Sequence, residues 1–223
     1  MCTLYAMTKS RDAVRALFRV SGNRASVVSA NAGILPTDAA PVVRLAPDGE
    51  RELVTLSWGF VRRDPGKAPR RIVNTRDDMA RANPFWRSSF ETRRCLVPVT
   101  AYSEPKGVKP ATWHWFTITG DDPRPLFAFA GVWRRYAGPV KKDGPDVEVD
   151  VFSFLTTMPN ALTATVNDER MPVLLVSESD FDTWLQGSPE EAFALVRPYP
   201  EAGMRIAGAG LDRRDVAGAT LIS

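Results

Sequence analysis

Residues 94–104 read RCLVPVTAYSE. The run up to Tyr102 has the composition of a buried strand, and it ends on a carboxylate, Glu104. Similar runs lie on both sides of it. Upstream are CTLYAM (2–7), APVVRLA (40–46) and ELVTLSWGF (52–60). Downstream are TWHWFTI (112–118), LFAFAGVW (126–133), VEVDVFSFLTT (147–157) and MPVLLV (171–176). Helices are signalled early and late. RDAVRALFRV (11–20) places Val14, Leu17 and Phe18 at helical spacing, with Thr8 or Ser10 as the cap. SESDFDTWL (177–185) puts Phe181, Trp184 and Leu185 on one face behind Ser177 and Asp180. SPEEAFALV (188–196) starts with Ser188 as cap, Pro189 in the first turn and Glu191 three residues after the cap. Strands in the middle with helices outside them predict an α+β fold, mainly antiparallel and curled on itself. DPGKAPRR (64–71) and GPVKKDGPD (138–146) read as loops. From about residue 203 the Gly- and Ala-rich composition suggests a mobile tail.

The 223 residues suffice for one sizeable core, and the 18 prolines are spread without marking a linker, so a single domain over 1–223 is expected. Hydrophobic residues at 44% and charged residues at 25% are those of a soluble globular protein. No apolar run approaches the roughly 20 residues of a membrane span, and no secretory signal opens the chain. Two cysteines, Cys2 and Cys95, and one histidine, His114, disfavour both a disulfide framework and a Cys/His zinc site. A reducing cytoplasm is the expected compartment. The net charge of +3 is uneven: residues 62–94 hold ten basic and four acidic residues. Arginines set among Trp58, Phe85 and Trp86 suit a nucleic-acid groove as well as they suit a solvated face over buried aromatics.

Several polar residues sit at the ends of strand-like runs: Asn74, Glu104, Thr156, Thr157 and Asn167. Singly, each reads as a turn former or cap. With Cys2 they form a set that strand ends could bring to one pocket. A cysteine at position two would become the N-terminus if Met1 were removed, and would then carry an amine and a thiol on adjacent carbons.

Eight segments, in order and with similar spacing, resemble the SOS-response-associated peptidase (SRAP) family, also called abasic-site processing proteins. They are MCTLY, ILPTDAAPVVR, LSWGF, IVNTRDD, RCLVPVTAYSE, FAGVW, FSFLTTMPNAL and NDERMPVLL, and the resemblance runs from Met1 to about Pro198. It implies an antiparallel pseudo-barrel with peripheral helices. It also implies loss of Met1 and covalent capture of abasic sites in single-stranded DNA by Cys2, through a thiazolidine. Asn74 matches the family's active-site asparagine and Glu104 its general acid/base. Arg76 matches a backbone-contacting arginine; Trp58, Pro36 and Thr156 match DNA-binding segments. Peptidase, autoprocessing and lyase activities come with the resemblance, as do a DNA partner, no cofactor, no metal and a monomer associated with the nucleoid. The chain departs from the pattern where the family has a histidine: Asn167 stands there, and it hydrogen-bonds but does not titrate near neutrality. A weakened relative that binds damaged DNA without chemistry is therefore one alternative. A cysteine N-terminal-nucleophile amidohydrolase is another.

Overall fold

A computed structural model describes residues 2–26 and 28–219. The first half contributes β1 (Tyr5–Met7), β2 (Asn31–Ile34), β3 (Ala39–Leu45), β4 (Arg51–Trp58), β5 (Phe60–Arg62), β6 (Arg70–Ile72), β7 (Asn74–Arg76) and β8 (Arg94–Val99). The second contributes β9 (Ala101–Lys106), β10 (Thr112–Ile118), β11 (Phe127–Pro139), β12 (Asp146–Thr157), β13 (Met171–Pro172), β14 (Leu174–Leu175) and β15 (Met204–Gly210). The helices are α1 (Arg11–Leu17), α2 (Asp77–Ala80), α3 (Pro84–Thr92), α4 (Ala161–Ala164), α5 (Glu178–Gln186), α6 (Pro189–Ala194) and α7 (Val216–Ala219).

Strands β12, β4, β3, β8 and β11 follow one another in one sheet, and β11 pairs back to β12, closing a five-strand barrel. Closure leaves no free edge among these five strands. All contacts around the ring are antiparallel except β12 with β4. A second sheet, in the order β15-β10-β9-β1-β2, lies beside it. The α+β pseudo-barrel expected from the sequence is the fold observed. It is not the αββα layering that the amidohydrolase alternative would need. No helix among the described residues is long and apolar enough to cross a membrane.

The stretch 94–104 is two strands, β8 and β9, broken at Thr100. β8 belongs to the barrel and β9 to the second sheet, so this one segment joins the two. Thr100 makes the corner: its hydroxyl donates to the Ala6 carbonyl and accepts from the Thr8 N–H. Ser10 is accordingly the cap of α1, accepting from Ala13 N–H, while Thr8 is spent on the corner. Arg94 is buried, and its guanidinium reaches the carbonyls of Trp184 and Gly187 at the end of α5. Gly131 of β11 sits opposite Cys95; a Cβ there would lie 2.8 Å from Cys95 Sγ, so only glycine lets these strands close. Residues 204–210, where composition suggested a tail, form β15 and pair along β10.

The core fills the barrel. The Tyr5 ring meets Trp58, Phe129 and Phe154 edge-on, with centroids 5.2, 5.7 and 6.2 Å away, and Phe129 lies 4.6 Å from Phe154. Both late helices carry the capping boxes read from the sequence, Ser177 with Asp180 and Ser188 with Glu191.

Candidate active site

Antiparallel pairing of β1 with β9 sets Tyr5 against Tyr102, so the chain preceding Tyr5 runs alongside Glu104. The N–H of Ser103 donates to the Leu4 carbonyl at 2.9 Å and holds that alignment. Cys2 and Glu104 therefore share one end of the strand pair. Both are buried, at 0% and 1% exposure. Cys2 Sγ–H donates to the Leu4 carbonyl at 3.5 Å. Burial, and next the charge of Glu104, raise the thiol well above its ordinary range, so the sulfur rests protonated.

Burial also pushes the Glu104 carboxyl up to about 7. A hydrogen bond from Asn167 opposes the rise and the charge of Glu169 adds to it. Asn167 thus meets Glu104 directly. Its Oδ1 accepts from Glu169 N–H at 3.0 Å, which leaves the Asn167 amide N–H to face the carboxyl. The loop bearing Asn167 is tied over β9 at two further points. Tyr102 and Thr163 pair through their hydroxyls at 3.1 Å, and Lys106 Nζ donates to the Thr165 carbonyl at 2.7 Å. His114 is the register partner of Glu104 on β10, is half-buried, and has Nδ1 3.1 Å from the Thr112 carbonyl oxygen.

Asn74 starts β7, in parallel register with Phe154 of β12. It is 6% exposed, and both atoms of its amide lack a hydrogen-bond partner among the described residues. Leaving such groups unpaired in a folded interior is unfavourable, by about 1–3 kcal/mol each, and such groups concentrate where a ligand completes the bonding. Arg76, two residues on, has its side chain 51% exposed and paired with Asp78.

Two residues of the expected DNA-binding set are enclosed in the fold and bonded within it. Trp58 is fully buried, its indole N–H donates to the Val73 carbonyl at 2.9 Å, and its ring stacks on Phe152 and Phe154. It has neither surface nor a free donor to offer a ligand. Thr156 is also fully buried, with Oγ1 accepting from Arg170 Nε at 3.0 Å. Arg170 bridges Thr156 to Asp77 and so braces the turn after Arg76. The sequence does not single out this arginine, because its ion-pair partner Asp77 is 93 residues away. Pro36 is half-buried, next to Thr37 at φ 80°. The basic segment is only partly a surface. Arg71 donates to the Gly59 carbonyl and Arg94 is spent on α5. Two other members, Arg62 and Arg63, line a surface cleft of about 440 Å³ with Phe85, Arg134 and Tyr136, where the Arg134 guanidinium lies 4.3 Å from the Phe85 ring centre. None of Cys2, Asn74 or Glu104 lines that cleft. The carboxyl that desolvation shifts, Glu104, lies in the buried cluster instead.

Known proteins share sequence and fold with this chain. Residues 1–209 match the family described as SOS response associated peptidase (SRAP). Abasic site processing protein YoqW of Bacillus subtilis (strain 168) is 28% identical over 165 residues, covering 71% of this chain and 70% of that protein. Abasic site processing protein YoaM of the same organism is 26% identical over 165 residues, covering 71% and 69%. Among solved structures, a Bacteroides thetaiotaomicron protein superposes with a TM-score of 0.73 at 22% identity, over 92% of this chain and 90% of that one. A Bordetella bronchiseptica protein gives 0.71 at 23%, over 94% and 98%.

Proposed function

The chain belongs to the SOS response associated peptidase family, and from that premise we propose that it processes abasic sites in DNA by capturing them covalently on Cys2. The abasic site processing relatives support the substrate class. The observation that carries the chemistry is the carboxyl of Glu104: buried, poised near neutrality and sharing one end of the β1–β9 pair with Cys2.

Removal of Met1, which lies outside the described residues, would leave Cys2 with a free α-amine. That amine has an ordinary pKa near 7.7–8.0 and is partly neutral at physiological pH. It attacks the C1′ aldehyde of the ring-opened sugar, forming a C–N bond and a carbinolamine. Glu104–H protonates the departing hydroxyl, which leaves as water, and an iminium that keeps its one N–H remains. Cys2 Sγ–H then gives its proton to the Glu104 carboxylate, restoring Glu104–H, as the sulfur adds to the iminium carbon and the C=N electron pair returns to nitrogen; a five-membered thiazolidine closes. Because the sulfur and nitrogen share one backbone, this second attack is intramolecular. A carboxyl with a pKa near 7 can give a proton in the first step and take one back in the second. Asn74 presents its unpaired amide to the sugar oxygens. Asn167 orients Glu104 without exchanging protons itself, so capture persists while ring opening, reversal, peptidase-type autoprocessing and lyase steps are slowed.

The DNA is held in single-stranded form through the exposed Arg76, and the Arg62–Arg134 cleft is suited to the adjoining backbone. The chain acts as one domain over 1–223 and as a monomer, in the cytoplasm with the nucleoid. The test is incubation with an abasic single-stranded oligonucleotide, followed by denaturing electrophoresis. A heat-stable adduct from the wild type, lost in Cys2→Ala and in a variant that retains Met1, is expected. Non-covalent retention alone would favour the reading as a binding relative, which the asparagine at the histidine position motivates.

A further inference from the structure

Tyr5 is fully buried, yet its hydroxyl has no hydrogen-bond partner among the described residues. Phenylalanine would fill the same space without stranding a polar group, so the oxygen itself needs a reason. Three placements supply it. First, Tyr5 and Cys2 both face the barrel core, while Leu4 and Ala6 face a separate cluster with Trp115. Second, the register partner of Tyr5 on β9 is Tyr102, and Glu104 follows two residues later on the same face. Third, Tyr5 meets the ring of Phe154 at 6.2 Å, and Phe154 is the in-register neighbour of Asn74, whose amide is also unpartnered. The phenol thus lies between the strand bearing Glu104 and the strand bearing Asn74. Its ring is clamped edge-on by Trp58, Phe129 and Phe154, so the hydroxyl cannot turn out toward solvent. Burial first, and the nearby Cys2 second, raise its pKa well above the ordinary range, which keeps it a donor at any working pH.

We propose that Tyr5 is a substrate-binding residue whose hydroxyl, together with the Asn74 amide, hydrogen-bonds the oxygens of the sugar captured by Cys2. This rests on the abasic-sugar reading of the site. A sugar that has lost its base offers hydroxyl and carbonyl oxygens where an intact nucleotide would present a bulky base. Two buried, unpaired polar groups complement the first, and a site of this kind discriminates strongly because a ligand lacking the oxygen leaves those groups unpaired.

Tyr5→Phe separates a binding role from a structural one. Three measurements decide it: unfolding in urea, the single-turnover rate of adduct formation at limiting protein, and the affinity for an oligonucleotide carrying a reduced, unreactive abasic sugar. Expected are unchanged or higher stability, an adduct rate lowered about 3- to 10-fold, and a similar loss of affinity for the reduced sugar. Affinity for an undamaged strand should not move. Combining Tyr5→Phe with Asn74→Ala should give less than the product of the two losses, because both act on one ligand. Unchanged rate and affinity, or a loss of stability with no change in either, would overturn the proposal. If the wild type forms no adduct but Tyr5→Phe still weakens binding of the reduced sugar, covalent capture fails and the role of Tyr5 stands. If the wild type binds the reduced sugar no better than an undamaged strand, both fail.

Discussion

Replacing Glu104 by glutamine should stabilise the protein at alkaline pH while disabling its chemistry. Burial raises this carboxyl from the ordinary 4.5 to about 7. A folded pKa above the unfolded one means that the native state holds the proton more tightly than the unfolded chain. Its contribution is favourable below pH 4.5, is lost as pH climbs from 4.5 to 7, and is absent above 7, where a bare carboxylate sits in the core. At 1.36 kcal/mol per tenfold change in proton affinity, that displacement is worth about 3 kcal/mol. Glutamine stays neutral at every pH and removes this penalty. It also sets one amide against the amide of Asn167, which gives back about 1 kcal/mol. The net expectation is a variant more stable than wild type by about 2 kcal/mol at pH 8.5, with the advantage gone at pH 4.5. Urea unfolding of both proteins at the two pH values measures it. The charge of Glu169 acts on Glu104 and is already contained in its raised pKa. In parallel, the adduct rate should fall about 10²- to 10⁴-fold. A stability difference that is the same at both pH values, or that favours the wild type more at pH 8.5, would refute the claim that Glu104 is held protonated by burial.

Asn167→His places a titrating imidazole against Glu104; the adduct rate or its reversal should rise and acquire a pH dependence near 6–7, read from single-turnover rates across pH 5–9. Arg76→Ala should weaken DNA binding for all sequences alike and lower the slope of log affinity against log salt by about one, measured by fluorescence anisotropy at several salt concentrations. Arg124 and Asp215, with side chains 3% and 2% exposed, form a two-point ion pair at 2.6 Å that anchors the segment before α7. Arg124→Ala leaves Asp215 buried and unpaired and should lose about 3–5 kcal/mol in urea unfolding, with the double change Arg124→Ala/Asp215→Ala recovering part of it.

What the sequence by itself determined lies within a few residues of each signal. The capping boxes at Ser177 and Ser188 and the strand runs on either side of residues 94–104 are visible because a cap or an apolar run needs only its immediate neighbours. The motif order likewise reaches Cys2, Asn74, Glu104 and Asn167, of which Cys2, Glu104 and Asn167 lie within reach of one another in the fold. The tertiary structure alone decided what each residue faces. Trp58 and Phe85 are both aromatic and both near arginines, yet Trp58 is sealed in the core and Phe85 lines a basic cleft. Thr8 and Ser10 are equivalent caps on paper, and Thr100, 92 residues away from Thr8, assigns the role to Ser10. The pairing of β12 with β4, which sets Val151 beside Ser57, joins distant parts of the chain, and the unpartnered hydroxyl of Tyr5 is a property of the folded core alone. Glu104 shows the same division most sharply. Its identity as a carboxylate is written at one position, but its proton near neutrality is a property of desolvation. Desolvation is the sum of everything folded around a group, and no local stretch of sequence contains it.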